Sequence, residues 1–149
     1  MGVYREKLRH FNTGTRKVKT VFINAPLSTM AEGRLNDEID RIVKGIGFRT
    51  YLPQANIPPG LDVDPLKVIR ANIVAVRKSD LVLTVLDKPG LGVAFELGYS
   101  VACKKKVIAF RTDPQDYLGK VVEGFWKDLP KESKATTFME LELILRKRV

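Results

Sequence analysis

One carboxylate stands apart from every other charge in this chain. In Leu81–Ser100 (LVLTVLDKPGLGVAFELGYS) an apolar run enters the turn Asp87-Lys88-Pro89-Gly90-Leu91-Gly92. It then enters a stretch that is apolar almost all round: Val93, Ala94, Phe95, Leu97, Gly98, Val101 and Ala102. Between Lys88 and Lys104, Glu96 is the only charged residue. A carboxylate among apolar neighbours has to be neutralised, paired or put to use. In the first turns of a helix, the positive end of the dipole favours its ionised form. Placement, burial and charge together point to a carboxylate nucleophile. A capping or ion-paired glutamate is the other reading that the pattern allows.

Other chemistries lack their residues. Gly90 and Gly92 start a dinucleotide fingerprint, but Phe95 occupies its third glycine position. There is no P-loop. With His10 the only histidine and Cys103 the only cysteine, neither a Ser-His-Asp triad nor a Cys/His metal cluster can be assembled. The residues call for no cofactor and no metal.

The elements that would hold Glu96 alternate between strand and helix. Val18–Asn24 (VKTVFIN) reads as a strand stopped by Pro26. A helix over 34–46 follows, with Leu35, Ile39, Ile42, Val43 and Ile46 on one face and Gly47 at its end. Phe48–Leu52 is a short strand. Residues 53–63 are rich in Pro and Gly and form a loop long enough to be a lid. Asp64-Pro65 starts a helix, as N-cap and first helical residue, and Leu66, Ile69, Ile73 and Val76 form its buried stripe. Leu81–Leu86 is a strand covered on both faces, residues 93–103 a buried helix, and Lys106–Phe110 a strand. Helices near 117–126 and 137–147 complete the chain, with a further short strand near 134–138. This order predicts a flavodoxin-like three-layer α/β sandwich with a parallel sheet of four or five strands. Ligands in such folds bind beyond the carboxyl ends of the strands, so the segments to watch follow Asn24, Leu52, Leu86 and Phe110.

At 149 residues the chain fits one domain, 18–149, after a basic opening segment over 1–17 that lacks periodicity and is expected to be flexible. No apolar run is long enough to cross a bilayer. No secretory signal is evident, and the lone cysteine fits a cytoplasmic protein. The net charge of +9 is concentrated in the opening segment and in Lys104-Lys105-Lys106. It favours anionic partners, whether phosphate groups or nucleic acid, or else is a solvated surface.

Three stretches carry a resemblance: VFINAPL at 21–27, SDLVLTVLD at 79–87 and GLGVAFELGYSVACKKKVIAF at 90–110. They resemble the nucleoside 2-deoxyribosyltransferase family, and within it the 2'-deoxynucleoside 5'-phosphate N-hydrolase branch most. That branch has a similar G-V-x-[YF]-E-L-G run, followed by a strand and a Phe-Arg pair, here Phe110-Arg111. The resemblance implies a flavodoxin-like fold and a retaining mechanism in which Glu96 attacks the anomeric carbon. It implies sugar and phosphate contacts from Ala25, Leu27, Ser28 and Thr29 and from the turn at Gly90 and Gly92. It implies a homodimer or higher homo-oligomer with shared sites, the neighbouring subunit contributing the segment around Gly119–Val121.

The chain departs from the family pattern at several of these positions. Phe22 stands where the first strand usually carries a tyrosine. Asn72 stands where an aspartate usually assists the chemistry. Gly90 and Gly119 replace phosphate-binding serines, Ser28 replaces an arginine, and Glu123 lies where the transferase branch has an asparagine. Asn24 and Asp87, at strand ends, are further candidates to meet the ligand, and Asp80 reads as structural. The expectation is therefore cleavage of the N-glycosidic bond of a (deoxy)nucleoside 5'-monophosphate, with Glu96 and Asn72 at the chemistry. The alternatives are a transferase moving deoxyribose between bases and a non-catalytic nucleotide- or nucleic-acid-binding module.

Overall fold

A computed structural model describes residues 17–57, 63–113 and 115–149. The expected opening segment over 1–17, apart from Lys17, and most of the glycine- and proline-rich part of the expected lid lie outside those residues.

Five strands form one parallel sheet in the order β2-β1-β3-β4-β5: β1 (Thr20–Asn24), β2 (Arg49–Tyr51), β3 (Leu81–Val85), β4 (Lys106–Phe110) and β5 (Lys134–Ala135). This is the flavodoxin-like strand order, which reverses between β1 and β3. The alternating pleat of each strand divides the core in two. Val21, Ile23, Leu81, Leu83, Val85, Ile108 and Phe110 face one side, and Phe22, Val82 and Ala109 the other. The first side is covered by α1 (Met30–Ile46) and α6 (Phe138–Arg146), through Ile39, Val43, Leu141 and Leu145. The second is covered by α3 (Pro65–Lys78), α4 (Leu91–Ala102) and α5 (Lys120–Asp128), through Val76, Leu97, Val122, Phe125 and Trp126. A single turn of helix, α2 (Pro53–Asn56), opens the segment after β2.

Three local expectations are corrected. Helix α1 starts at Met30 rather than 34, because Thr29 and Glu32 form a capping box that satisfies its first amides. The buried stripe of α3 runs through Asn72 and Val76, and Leu66 at its start is exposed. Helix α4 is not buried all round. Val93, Leu97 and Ser100 face the sheet, while Leu91, Phe95 and Val101 face outward. Nothing among the described residues covers that apolar side.

Candidate active site

Helix α4 sets the geometry. Its N-cap is Gly90, which offers no side chain, so among the described residues no side chain caps the amides of the first turn. Asn24, fully buried at the end of β1, donates through Nδ2 to the Val93 carbonyl at 2.9 Å and to Thr84 Oγ1 at 3.1 Å. One side chain thus ties the ends of β1 and β3 to the first turn of α4, across the point where strand order reverses.

Glu96 lies in the second turn of the helix, half-buried, on the wall of a cavity of about 240 Å³. The cavity is lined by Ala25, Pro26, Leu27 and Ser28 after β1, Pro53 of α2, Asn72 of α3, and Gly90, Gly92 and Val93 of the turn and helix. Glu96 is the only titratable residue in that lining. Asn72 Nδ2 donates to Glu96 Oε1 at 2.6 Å, leaving the other carboxylate oxygen without a protein partner among the described residues. No cation among the described residues forms an ion pair with Glu96. Burial pushes its carboxyl above the ordinary range, against the smaller lowering effect of the Asn72 hydrogen bond. Desolvation is thus the larger of these two effects on its ionisation.

Tyr51 escaped the sequence reading. It lies in half-buried β2 and stacks on Phe22, with ring centroids 5.5 Å apart and planes 13° from parallel. Its hydroxyl points to Asn72 Oδ1 at 3.4 Å, and desolvation and the Glu96 charge both hold its phenol above the usual value. The hydroxyl that Phe22 lacks is thus presented from the neighbouring strand, at the register position opposite Phe22. Only the strand pairing brings the two rings together, so no local signal could have found this.

Of the residues expected from sequence, Glu96, Asn72, Ala25, Leu27, Ser28, Gly90 and Gly92 meet at one cavity. The others lie outside its lining. Phe22 is fully buried beneath Tyr51. Thr29 caps α1, accepting from the Glu32 amide. Asp87 accepts from the Thr112 amide and hydroxyl, both at 2.8 Å, and so ties the end of β3 to the loop after β4. Gly119 is the N-cap of α5 with φ of 80°, and Val121 on that helix is 86% exposed. Asp80 accepts from the Thr20 amide, fastening β1 to the start of β3.

Pro26 and α2 are held in place by buried Asn36 of α1, whose Nδ2 donates to the Pro26 carbonyl and to Gln54 Oε1. Outside this lining, Arg111 is fully buried just after β4. It pairs with Glu123 of α5 through two hydrogen bonds of 2.9 and 3.2 Å and lies over Trp126. The described residues hold no group of three or more His, Cys, Asp or Glu placed to bind a metal, and no helix long and apolar enough to cross a membrane.

The comparisons with known proteins agree with this fold. Residues 21–137 match the sequence profile of the nucleoside 2-deoxyribosyltransferase family. A conserved protein from Enterococcus faecalis V583 shares the fold with a TM-score of 0.76, at 21% identity, over 89% of this chain and 99% of its own. The CMP N-glycosidase BcmB of Clostridium botulinum shares it with a TM-score of 0.60, at 15% identity, over 88% of this chain and all of its own. A 2-deoxyribosyltransferase from Leishmania mexicana is 28% identical over 64% of this chain and 65% of its own, with a TM-score of 0.52. Among curated proteins no sequence matches.

Proposed function

Since the chain belongs to the nucleoside 2-deoxyribosyltransferase family, we propose that it hydrolyses the N-glycosidic bond of a (deoxy)nucleoside 5'-monophosphate, with Glu96 as nucleophile. The observation that carries this reading is the Glu96 carboxylate itself. It is half-buried on a cavity wall, without an ion pair among the described residues, and held at one oxygen by Asn72.

In the proposed reaction the free carboxylate oxygen attacks the anomeric carbon as the bond to the base breaks, and the electron pair leaves with the base. A glycosyl ester to Glu96 forms, and water then cleaves it with retention. Asn72 cannot accept a proton at neutral pH, so its role is to aim the carboxylate. A phosphate would lie against the uncapped amides at the start of α4, which attract anions without any basic side chain.

The cavity of about 240 Å³ is below the usual range for ligand sites, about 300–1,000 Å³. It accommodates the sugar and leaves the base projecting outward. The exposed apolar side of α4 and the exposed Val121 support a homo-oligomer in which a second subunit covers the base.

The test is release of free base, followed by chromatography, across nucleosides and their monophosphates. Release that needs the phosphate and vanishes in Glu96→Ala is expected. If no substrate loses its base, or the variant matches the wild type, the reading fails. A second free base in the mixture separates the transferase reading, since only a transferase converts it to a new nucleoside.

A further inference from the structure

A second cavity lies at the opposite edge of the sheet, where the strands begin. It measures about 580 Å³ and is lined by Lys19, Ser79, Asp80, Leu81, Cys103, Lys104, Lys105, Lys106, Lys147 and Arg148. Leu81 and Lys106 are the first residues of β3 and β4, whereas Glu96 lies beyond the carboxyl ends. Five residues of strand, about 16 Å, separate the two regions.

Six cations and one carboxylate meet there. Part of this charge has a structural purpose. The carboxyl ends of α3, α4 and α6 converge on this edge, and cations satisfy terminal carbonyls. Lys105 Nζ donates to the carbonyls of Arg77 and Ser79, Lys19 Nζ to that of Arg148, and Arg148 to that of Glu132. Asp80 is already used by the Thr20 amide.

Lys104, Lys106 and Lys147 are different. Among the described residues their side chains make no hydrogen bond and no ion pair. Three helix ends contribute about half a negative charge each, so with Asp80 they leave the cavity with a net positive charge of about three to four. These three side chains are exposed, so water and salt screen their mutual repulsion without removing it. An anion with several charges would remove that repulsion. Among the described residues no aromatic side chain lines the hollow for a base to stack on, and its extent is that of a small molecule rather than of a continuous strand.

We propose that this cavity binds a small polyphosphate anion, such as the di- or triphosphate group of a nucleotide, at a site separate from Glu96. Lys104, Lys106 and Lys147 would supply the free cationic donors, and Lys19, Lys105 and Arg148 the fixed rim. The proposal does not depend on the reaction assigned to Glu96.

Titration calorimetry of the full chain with inorganic tripolyphosphate tests it. The expected result is one saturable site per chain, weakened as salt rises. The combined variant Lys104→Ala/Lys106→Ala/Lys147→Ala should weaken it about tenfold or more, and Lys147→Glu alone should weaken it in the same direction if the combined variant does not fold. Absence of saturable binding, or unchanged binding in these variants, overturns the proposal. So does binding of a short oligothymidylate when tripolyphosphate neither binds nor displaces it, since that would make this edge a nucleic-acid surface. Displacement of the oligonucleotide by tripolyphosphate supports it.

Discussion

The Glu96 carboxylate combines two demands that conflict: nucleophilic attack needs it charged, and its surroundings resist the charge. The sign of the consequence is fixed. Its folded pKa lies above the unfolded value, so its contribution to stability is full below the ordinary carboxylate pKa and is lost as pH rises through the folded one. Glu96→Gln should therefore melt at a higher temperature than the wild type near neutral pH, with the gain vanishing in acid, when scanned calorimetrically across pH. The same substitution should lower base release by about a thousandfold or more, as loss of a nucleophile does. Asn72→Ala removes the one hydrogen bond that favours the charged form. The acid limb of its pH–rate profile should move to higher pH, and kcat should fall more than KM changes. An unmoved limb would show that Asn72 does not hold the carboxylate. Glu96 could be read from sequence because a lone charge in an apolar run is a local signal, and Asn72 because it stands where the family pattern has an aspartate. Tyr51 could not, since its relation to Asn72 and Phe22 exists only across paired strands and a packed helix.

The elements follow the same division between local and long-range information. β3, β4 and α4 were legible because apolar runs, Gly-rich turns and helical periodicity mark them within a few residues. The two-residue β5 falls within the short strand expected near 134–138, but only its pairing with Ala109 and Phe110 fixes its bounds. The start of α1 was legible in principle, since Thr29-x-x-Glu32 is a capping box, but the apolar periodicity begins later and drew the boundary inward. Glu32 also accepts from the amides of Ser28 and Thr29, so the cap shapes the cavity loop as well as the helix. Thr29→Ala should cost about 1 kcal/mol in denaturant unfolding, and it should raise KM, because Ser28 and Leu27 line the site. Loss of stability with KM unchanged would separate the cap from substrate binding. The exposed side of α4 was misread for a related reason: apolarity all round a helix reports that something covers it, not whether the cover belongs to the same chain.

At the scale of the whole molecule, that uncovered side is the strongest structural argument for a partner copy. Leu91, Phe95 and Val101 present an apolar strip along α4, with Phe95 53% exposed one residue before Glu96 in the chain. A dimer formed through it would bring a second subunit to the open mouth of the cavity. Light scattering should then find at least a dimer, and Phe95→Lys should shift it to monomer while thermal unfolding confirms an intact fold. Whether the partner completes the site is a separate matter, because Gly119 and Val121 lie outside the cavity lining in their own subunit. Val121→Trp should block a neighbour's site by bulk, as Glu96→Ala disables its own. Each variant alone should be inactive. Mixed after dissociation and reassembly, half of the dimers pair the two variants, and one of their two sites then carries both an intact Glu96 and an intact Val121. Base release should recover to about a quarter of the wild-type rate. If each site is built within one chain, Val121→Trp lies outside its own cavity lining and stays active by itself, and mixing it with Glu96→Ala adds nothing.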